Sequence, residues 1–161
     1  MSDEMDDLTT MDGQLDTFDL KILALLRTDG RIAVTDLARR VGLSKTPCQN
    51  RMKRLQAEGY ITGFRAVLDP AKVGRENVAF VEIRLNDTTE KALSAFNSAV
   101  RSVPEIEQCH MIAGAFDYLL KVRTTSMKDY RRVLGEVIST LPHVEQSSTH
   151  VSMQAVKDDA Y

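Results

Sequence analysis

The sequence predicts an α+β protein with an N-terminal winged helix-turn-helix and a C-terminal ferredoxin-like βαββαβ domain. Two patterns predict this arrangement. Three short helical patterns joined by tight turns occupy residues 15–59, and from residue 78 onward strand and helix patterns follow in the order β-α-β-β-α-β. We expect four segments: a flexible acidic leader at 1–14, the winged helix-turn-helix at 15–68, a linker at 69–76 and the second domain at 77–157.

Each of the three N-terminal helices has its own start or stop signal. Asp16 is suited to cap the first helix, and Asp29-Gly30 ends it. Gly42 ends the second helix. The third is predicted from Ser44 to Gly59, and Pro47 fits its first turn because the N–H there has no intrahelical partner to lose. The turn between the last two helices has the length and chemistry of a helix-turn-helix.

The third helix has two chemically different faces. At about 100° per residue, Cys48, Met52 and Leu55 fall on one apolar face. The opposite face and its flanks carry hydroxyl, amide and cationic groups: Thr46, Gln49, Asn50, Arg51, Lys53 and Arg54. Such groups read base edges and hold phosphates in a DNA major groove. The pattern therefore favours double-stranded DNA over the alternative of a plain solvated helix face.

The charge distribution agrees with a DNA-facing first domain. Residues 16–68 carry ten basic and five acidic residues, whereas residues 70–161 carry eleven basic and twelve acidic ones. Residues 60–68 are predicted to form two short strands around a glycine turn, which is the position of a wing. From there Arg65 could reach a neighbouring phosphate. Asp69-Pro70 then breaks the chain.

The second domain alternates strands and helices. Strands are predicted at 78–85, 106–112, 118–124 and 144–153, and helices from 88 or 89 to 103 and from 126 to 142. Residues 113–117 join the two middle strands. Two helices leave one face of a four-stranded sheet uncovered, and such a face is commonly buried against a second copy. We therefore expect a homodimer.

Several classes of function lack support in the sequence. There is no apolar run of 18 residues, so we expect no membrane span, and the acidic start lacks the pattern of a secretory signal. The two cysteines, Cys48 and Cys109, fall in different predicted domains, which favours a reduced, cytoplasmic protein without a disulfide. His110, His143 and His150 are dispersed, so no metal site is expected. With no phosphate loop or nucleophile motif, we expect neither an enzyme nor a cofactor.

The combined motifs resemble the Lrp/AsnC family of bacterial and archaeal regulators over residues 15–157. In the first domain the likeness rests on Gly42-Leu43-Ser44, on Arg51-Met52-Lys53-Arg54-Leu55 and on Glu58-Gly59-Tyr60-Ile61-Thr62-Gly63. In the second it rests on the run 114–122, which reads Gly-Ala-Phe-Asp-Tyr-Leu-Leu-Lys-Val, and on Leu141-Pro142-His143-Val144. Within the family, residues 45–51 and 110–114 look most like proline-utilisation activators of alphaproteobacteria.

The resemblance implies a regulator that binds DNA as dimers, which assemble into octamers or larger discs. Symmetric dimers imply a pseudo-palindromic operator with half-sites about one helical turn, or a multiple of it, apart. The DNA-binding residues would be Ser44, Lys45, Thr46, Gln49, Asn50, Arg51, Lys53, Arg54 and Arg65. Among them we expect Gln49 and Asn50 to approach bases and Lys45, Arg51, Arg54 and Arg65 to position the phosphate backbone.

The resemblance also implies a small-molecule effector, usually an amino acid, with proline the leading expectation here. Its binding residues would be Ala113, Gly114, Phe116, Asp117, Tyr118, Glu145 and Thr149. The chemistry fits, because a carboxylate such as Asp117 pairs with an ammonium and free loop N–H groups bind a carboxylate. One position departs from the pattern: many relatives have Gly where His143 stands, at the start of the last strand.

Structural alternatives stay open for some of these residues. Arg51 also suits an ion pair with Glu58. Gly114 and Asp117 also suit a hairpin, since glycine supplies positive φ and aspartate bonds nearby backbone. At the level of the whole chain, two other functions compete: an amino-acid-binding module of a metabolic enzyme assembly, and an oligomeric scaffold that does not bind DNA. The charged outer face of the third helix speaks against both.

Overall fold

The structure is a computed structural model that describes residues 15–158, so the predicted leader at 1–14 lies outside the described residues. The chain divides into two compact units, with the division between Val67 and Leu68. Each unit has a hydrophobic core of its own.

The first unit consists of three helices: α1 (Thr17–Thr28), α2 (Val34–Val41) and α3 (Lys45–Ala57). Asp16 caps α1 as predicted, accepting hydrogen bonds from the backbone N–H of Phe18 and Asp19. The predicted apolar residues of the three helices meet in one core: Ile22, Leu26, Leu37, Ala38, Val41, Cys48 and Leu55. The inward face predicted for the third helix is therefore confirmed.

The turn between α2 and α3 depends on Gly42. Its φ of 82° lies in the left-handed region, which an L side chain rarely adopts. In this conformation the N–H of Leu43 bonds the carbonyl of Ala38 at 2.8 Å, closing the helix and turning the chain sharply toward α3. A tight turn of this kind brings two helices together as a helix-turn-helix.

The two short strands predicted at 60–68 are wrong. Tyr60 and Ile61 pack against the helical core, but from Thr62 onward the chain is exposed and none of these nine residues forms a strand. Two short strands alone are marginal in water unless a third strand or a packed face supports them. Neither is present here, since Phe64 is 51% and Val67 is 90% exposed. The segment that carries Arg65 is thus extended, exposed chain in the position of a wing.

The second unit confirms the predicted βαββαβ order. Its elements are β1 (Asn77–Leu85), α4 (Glu90–Arg101), β2 (Ile106–Met111), β3 (Tyr118–Thr124), α5 (Met127–Glu136), a 3-10 turn (Ile138–Thr140) and β4 (Val144–Val151). The strands form one antiparallel sheet in the order β2-β3-β1-β4. The central strand β1 buries alternate residues, as predicted, with Val81 and Ile83 inside and Phe80 and Arg84 at the surface.

Both helices pack on the same face of the sheet. The core between them contains sheet residues such as Val81 and Leu120 together with helix residues such as Phe96 and Val133. The last helix is shorter than the predicted span to Pro142, because the backbone leaves the α-helix at Val137 and continues as the 3-10 turn. Within residues 15–158 no helix is both long and apolar enough to cross a membrane.

Candidate nucleic-acid interface and effector site

The outer face of α3 presents polar side chains that the rest of the described chain does not use. All of them are exposed, and none makes a side-chain hydrogen bond or ion pair with residues 15–158. They are Ser44, Lys45, Thr46, Gln49, Asn50 and Lys53. Side chains without internal partners can exchange water for base edges or phosphates without breaking a protein contact. This set coincides with six of the nine residues predicted to bind DNA.

The N-terminal end of α3 is also open to an anion. Ser44 occupies the N-cap position, but its side chain makes no capping hydrogen bond. The first turn contains no acidic residue, whereas the first turns of α1 and α2 contain Asp19 and Asp36. Free N–H groups and the positive end of the helix dipole attract phosphate. The local sequence therefore leaves a cationic helix end beside Lys45.

Arg51 and Arg54 are engaged within the chain. Arg51 Nη1 donates to Asp16 Oδ2 at 2.6 Å and to Asp19 Oδ1 at 2.9 Å, and Arg54 Nη2 donates to Asp19 Oδ2. Arg51 also lies over the ring of Phe18, 5.5 Å from its centroid. The ion pair of Arg51 with Glu58 is not formed; its partners are Asp16, the N-cap of α1, and Asp19 within α1. The expectation that these arginines position the phosphate backbone stays a prediction, and the structure adds that their charges pair with carboxylates at the start of α1.

The position of Asp19 in the sequence indicates this contact, although the sequence analysis did not predict it. Asp19 precedes Ile22 by three residues and Leu26 by seven, so it lies on the same stripe of α1 as the apolar core. Its side chain is only 1% exposed. Burial by itself raises the pKa of this carboxyl, but bonds from Arg54, the Asp16 N–H and Arg51 outweigh it and lower the pKa below its ordinary value. An acid on an apolar stripe predicts a cationic partner on a neighbouring element.

The loop between β2 and β3 is pinned to the sheet by three hydrogen bonds. The N–H of Ile112 bonds the carbonyl of Asp117 at 2.8 Å, and the N–H of Asp117 bonds the carbonyl of Ile83 at 2.9 Å. Arg84 Nη2 donates to the carbonyl of Ala115 at 2.7 Å. The loop therefore has a defined shape at the end of the central strand, with Ala113, Gly114 and Ala115 exposed and Phe116 half-buried.

Asp117 has a structural bond and one free oxygen. Its Oδ2 accepts from the N–H of Leu85 at 2.7 Å, beside the register shift where β1 meets β4. Its Oδ1 accepts no hydrogen bond from the described residues. The hairpin alternative is thus supported for Asp117, while the carboxylate keeps a charge and an acceptor for a ligand.

Gly114 does not have the conformation that the hairpin alternative requires. Its φ is not positive, and a Cβ built on it would meet only a methyl group of Ile112 at an ordinary 3.6 Å. Neither backbone strain nor crowding within residues 15–158 explains a glycine here. The missing side chain instead leaves open space beside the loop, which suits a ligand or a partner surface.

The remaining effector candidates do not all face this loop. Tyr118 is 2% exposed and stacks on Phe96 in the layer between sheet and helices, with ring centroids 4.5 Å apart. The hydroxyl of Thr149 bonds that of Tyr130 in the same layer. Glu145 is exposed, next to Val144, which pairs with Leu85 near the loop. The structure therefore brings Ala113, Gly114, Phe116, Asp117 and Glu145 to one end of the sheet, and turns Tyr118 and Thr149 away from it.

The backbone conformation of His143 explains why glycine suits this position. His143 has a φ of 65°, and within residues 15–158 it is the one non-glycine residue with positive φ. Its carbonyl accepts the N–H of Asn86 at 2.9 Å, which holds the start of β4 beside the end of β1. The position thus favours glycine, and histidine is tolerated there at some cost in backbone energy.

Two family models match the chain, one in each unit. A model described as "Winged helix-turn-helix DNA-binding" matches residues 15–62. A model described as "Lrp/AsnC ligand binding domain" matches residues 78–161. The first match covers the whole of α1, α2 and α3, and the second covers the four strands of the sheet except Asn77, the first residue of β1.

Named relatives match over nearly the whole length. A proline dehydrogenase transcriptional activator of Rhizobium radiobacter is 65% identical over 144 residues, covering 89% of this chain and 92% of the relative. A leucine-responsive regulatory protein of Klebsiella pneumoniae is 46% identical over 143 residues, covering 89% and 87%. Among solved structures, a transcriptional regulator from Neisseria meningitidis in complex with L-Met superposes with a TM-score of 0.83 at 29% identity, covering 89% of this chain and 93% of that one.

Proposed function

The chain belongs to the Lrp/AsnC family of transcription regulators, and on that premise we propose how its own residues bind DNA and sense a ligand. The DNA target is a pseudo-palindromic operator near genes of amino-acid metabolism. The effector is an amino acid, with proline as the first choice, because the relative from Rhizobium radiobacter is named as an activator of proline dehydrogenase. The named relatives are transcriptional regulators, and we propose no catalytic activity for this chain.

The observation that carries the DNA proposal is the unused polar face of α3. Gln49 and Asn50 carry side-chain amides, which pair with the edges of bases, and they are exposed without an internal partner. Lys45 and Lys53 are exposed cations on the same helix and hold phosphates on either side of the groove. Ser44 and Thr46 add hydroxyls beside the open N-terminal end.

Arg51 and Arg54 take a positioning role in this proposal. Their ion pairs with Asp16 and Asp19 fix α3 against α1, so the helix enters the groove at one angle. Arg54 is 41% exposed and keeps N–H groups that can also face a phosphate. Arg65, on the exposed segment after α3, contributes a further backbone contact.

The effector proposal rests on the end of the sheet where the β2–β3 loop lies. Asp117 offers a free carboxylate oxygen to an ammonium group, and the exposed backbone around Gly114 offers room for a carboxylate. The solved relative with L-Met supports an amino acid as the class of ligand. A ligand that prefers one assembly over another shifts the population of DNA-competent assemblies by its difference in affinity.

The dimer proposal rests on the face of the sheet that neither helix covers. Phe80 lies there, 36% exposed on the central strand. The neighbouring cations Lys121 and Arg123 are already neutralised within the chain by Glu107 and Asp158. A face with an exposed aromatic and paired charges can pack on a second copy without leaving an unpaired buried charge. Further assembly of such dimers follows the family pattern.

Fluorescence anisotropy on DNA from upstream of the protein's own gene and its neighbour tests the proposal. The titration is run at fixed salt against a scrambled competitor, with and without L-proline. We expect preference for the upstream fragment, and a change in its Kd with proline. If the protein prefers the upstream fragment but its Kd does not change with proline, the DNA proposal stands and proline is rejected as the effector. Binding without preference, maintained across a wider set of promoter fragments, rejects the DNA proposal in favour of an enzyme-associated module or a scaffold.

A further inference from the structure

A cleft runs along the edge strand β2, between that strand and α4. Its volume is about 400 Å³, within the usual range of small-molecule sites. Its apolar lining includes Val100 and Ile106, and its polar lining includes Asn97, Arg101, Tyr118 and Glu107. The Glu107 carboxylate is paired with Lys121 and Arg123. The exposed loop 113–117 does not line it, so it is separate from the effector site proposed above.

The Tyr118 hydroxyl at the base of this cleft has no hydrogen-bond partner in the described residues. The ring is fixed by Phe96, and the hydroxyl is buried. Burial, followed by the nearby Cys109, raises the pKa of the phenol, and the Asn97 side chain, which lies beside the hydroxyl without reaching hydrogen-bond geometry, partly counters this increase. Because Asn97 and Cys109 both line the cleft, the hydroxyl lies against its wall. A buried hydroxyl without a partner is costly, so a hydrogen-bonding group entering the cleft gains more here than at an exposed hydroxyl.

A cation lies farther along the same cleft. Arg101 is exposed at the last turn of α4 and forms no ion pair with residues 15–158. It follows Asn97 by four residues, so the two are neighbours on one helix face, separated by about one turn, or about 5–6 Å.

We propose that this cleft binds a monocarboxylate whose apolar body ends in a hydrogen-bonding group. The carboxylate pairs with Arg101, the body packs on Val100 and Ile106, and the far group bonds the Tyr118 hydroxyl. Two polar anchors, one on β3 and one on α4, select a ligand with a polar group at each end. Since Tyr118 directly follows Asp117, occupancy of the cleft is positioned to influence the effector loop. The site does not depend on DNA binding.

The probes that test the proposal are 4-hydroxyphenylacetate and phenylacetate, which differ only in the far hydroxyl. Isothermal titration calorimetry on the full-length protein is expected to show that the hydroxylated probe binds roughly 5- to 10-fold more tightly. Tyr118→Phe removes this preference, because it deletes the partner and leaves the ring in place. Arg101→Ala weakens both probes about tenfold and keeps the preference.

Arg131→Ala is the matched control, since Arg131 is an exposed cation on α5 that does not line the cleft. It is expected to leave both affinities unchanged. The proposal is overturned if neither probe binds at millimolar concentration, if both bind equally to the wild type, or if Tyr118→Phe keeps the preference. Circular dichroism of Tyr118→Phe confirms that the variant folds. These outcomes are independent of the operator titration, so the two proposals fail separately.

Discussion

The carboxylate of Asp19, on α1, accepts a hydrogen bond from the guanidinium of Arg54, on α3. Asp19 also accepts from Arg51, and it is nearly inaccessible to water. The helix that presents Gln49 and Asn50 outward is therefore tied from its inner flank to the first helix of the domain. We therefore expect DNA recognition by α3 to depend on this contact, even though Asp19 itself is buried.

Replacing Asp19 with Ala is expected to lower the free energy of unfolding by about 2–3 kcal/mol, because Arg51 and Arg54 lose a buried counterion. The measurement is urea denaturation at pH 7. Asp36→Ala is the control: it removes an exposed carboxylate that pairs with the equally exposed Arg39 one turn away on α2, and no measurable change is expected. Equal stability of the Asp19→Ala variant and the wild type would show that the network is not structural.

The same carboxylate predicts a pH dependence. The folded pKa of Asp19 is lowered, so its contribution is present above the unfolded pKa and is lost as pH falls through the folded pKa. The stability difference between the wild type and Asp19→Asn should therefore narrow below about pH 4. Urea titrations of both proteins at pH 7 and pH 3 check this. A difference that widens on acidification would mean that burial, and not the arginines, dominates the pKa.

The outer face of α3 predicts two separable effects on DNA. Asn50→Ala is expected to reduce the preference for the operator over scrambled DNA about tenfold, because amide pairing with a base edge is sequence-dependent. Lys53→Ala should weaken both DNAs alike and reduce the slope of log K against log salt by about one. Anisotropy titrations at several salt concentrations measure both effects.

Arg54→Ala serves as the internal comparison for that experiment. Because Arg54 pairs with Asp19, its loss should reduce DNA affinity together with the thermal midpoint, whereas Lys53→Ala should leave the midpoint unchanged. If Lys53→Ala altered sequence preference while Asn50→Ala did not, the roles of the two residues on the helix face would be reversed.

Local patterns predicted the helices well because their caps and apolar stripes lie within a few residues of each other. Asp16 and Gly42 each act where the sequence places them. The prediction of two strands at 60–68 was wrong because a strand is stable only when another strand or a packed face supports it, and a local sequence pattern does not show whether that support exists. The aspartate partners of Arg51 and Arg54 were not predicted either, because they lie more than thirty residues earlier in the chain.

One carboxylate oxygen of Asp117 bonds the backbone and the other is proposed to bind the ligand. Two substitutions test these two roles separately. Asp117→Ala removes the acceptor for the Leu85 N–H and should lower unfolding stability by about 1–2 kcal/mol, as well as abolish the effector response. Asp117→Asn keeps an acceptor for Leu85 but loses the charge that pairs with an ammonium. It should stay close to wild-type stability and still lose the response. Thermal unfolding and proline-dependent anisotropy give the two readouts, and an intact response in Asp117→Asn removes the carboxylate from the site.

The candidate effector residues show where sequence reasoning reaches its limit. Ala113, Gly114, Phe116 and Asp117 are contiguous, so the loop that holds them could be located from the turn signals alone. Thr149 is predicted as an effector residue at the entry to β4; in the structure it pairs with Val81 in the middle of the sheet, and its hydroxyl bonds that of Tyr130. Register decides which face a strand residue occupies, and a single sequence does not specify register.

His143 provides a test of backbone energy at the start of β4. A β-branched residue fits positive φ poorly, so His143→Val should lower the free energy of unfolding by about 1–2 kcal/mol, whereas His143→Gly should be at least as stable as the wild type. His110→Val is the matched control, because His110 is an exposed residue within β2, where a β-branched side chain is favourable. Thermal denaturation of the three variants measures the differences. Equal stability of His143→Val and the wild type would mean that the backbone at residue 143 does not keep a positive φ. The hydrogen bond from the Asn86 N–H to the residue 143 carbonyl would then not fix the backbone conformation there.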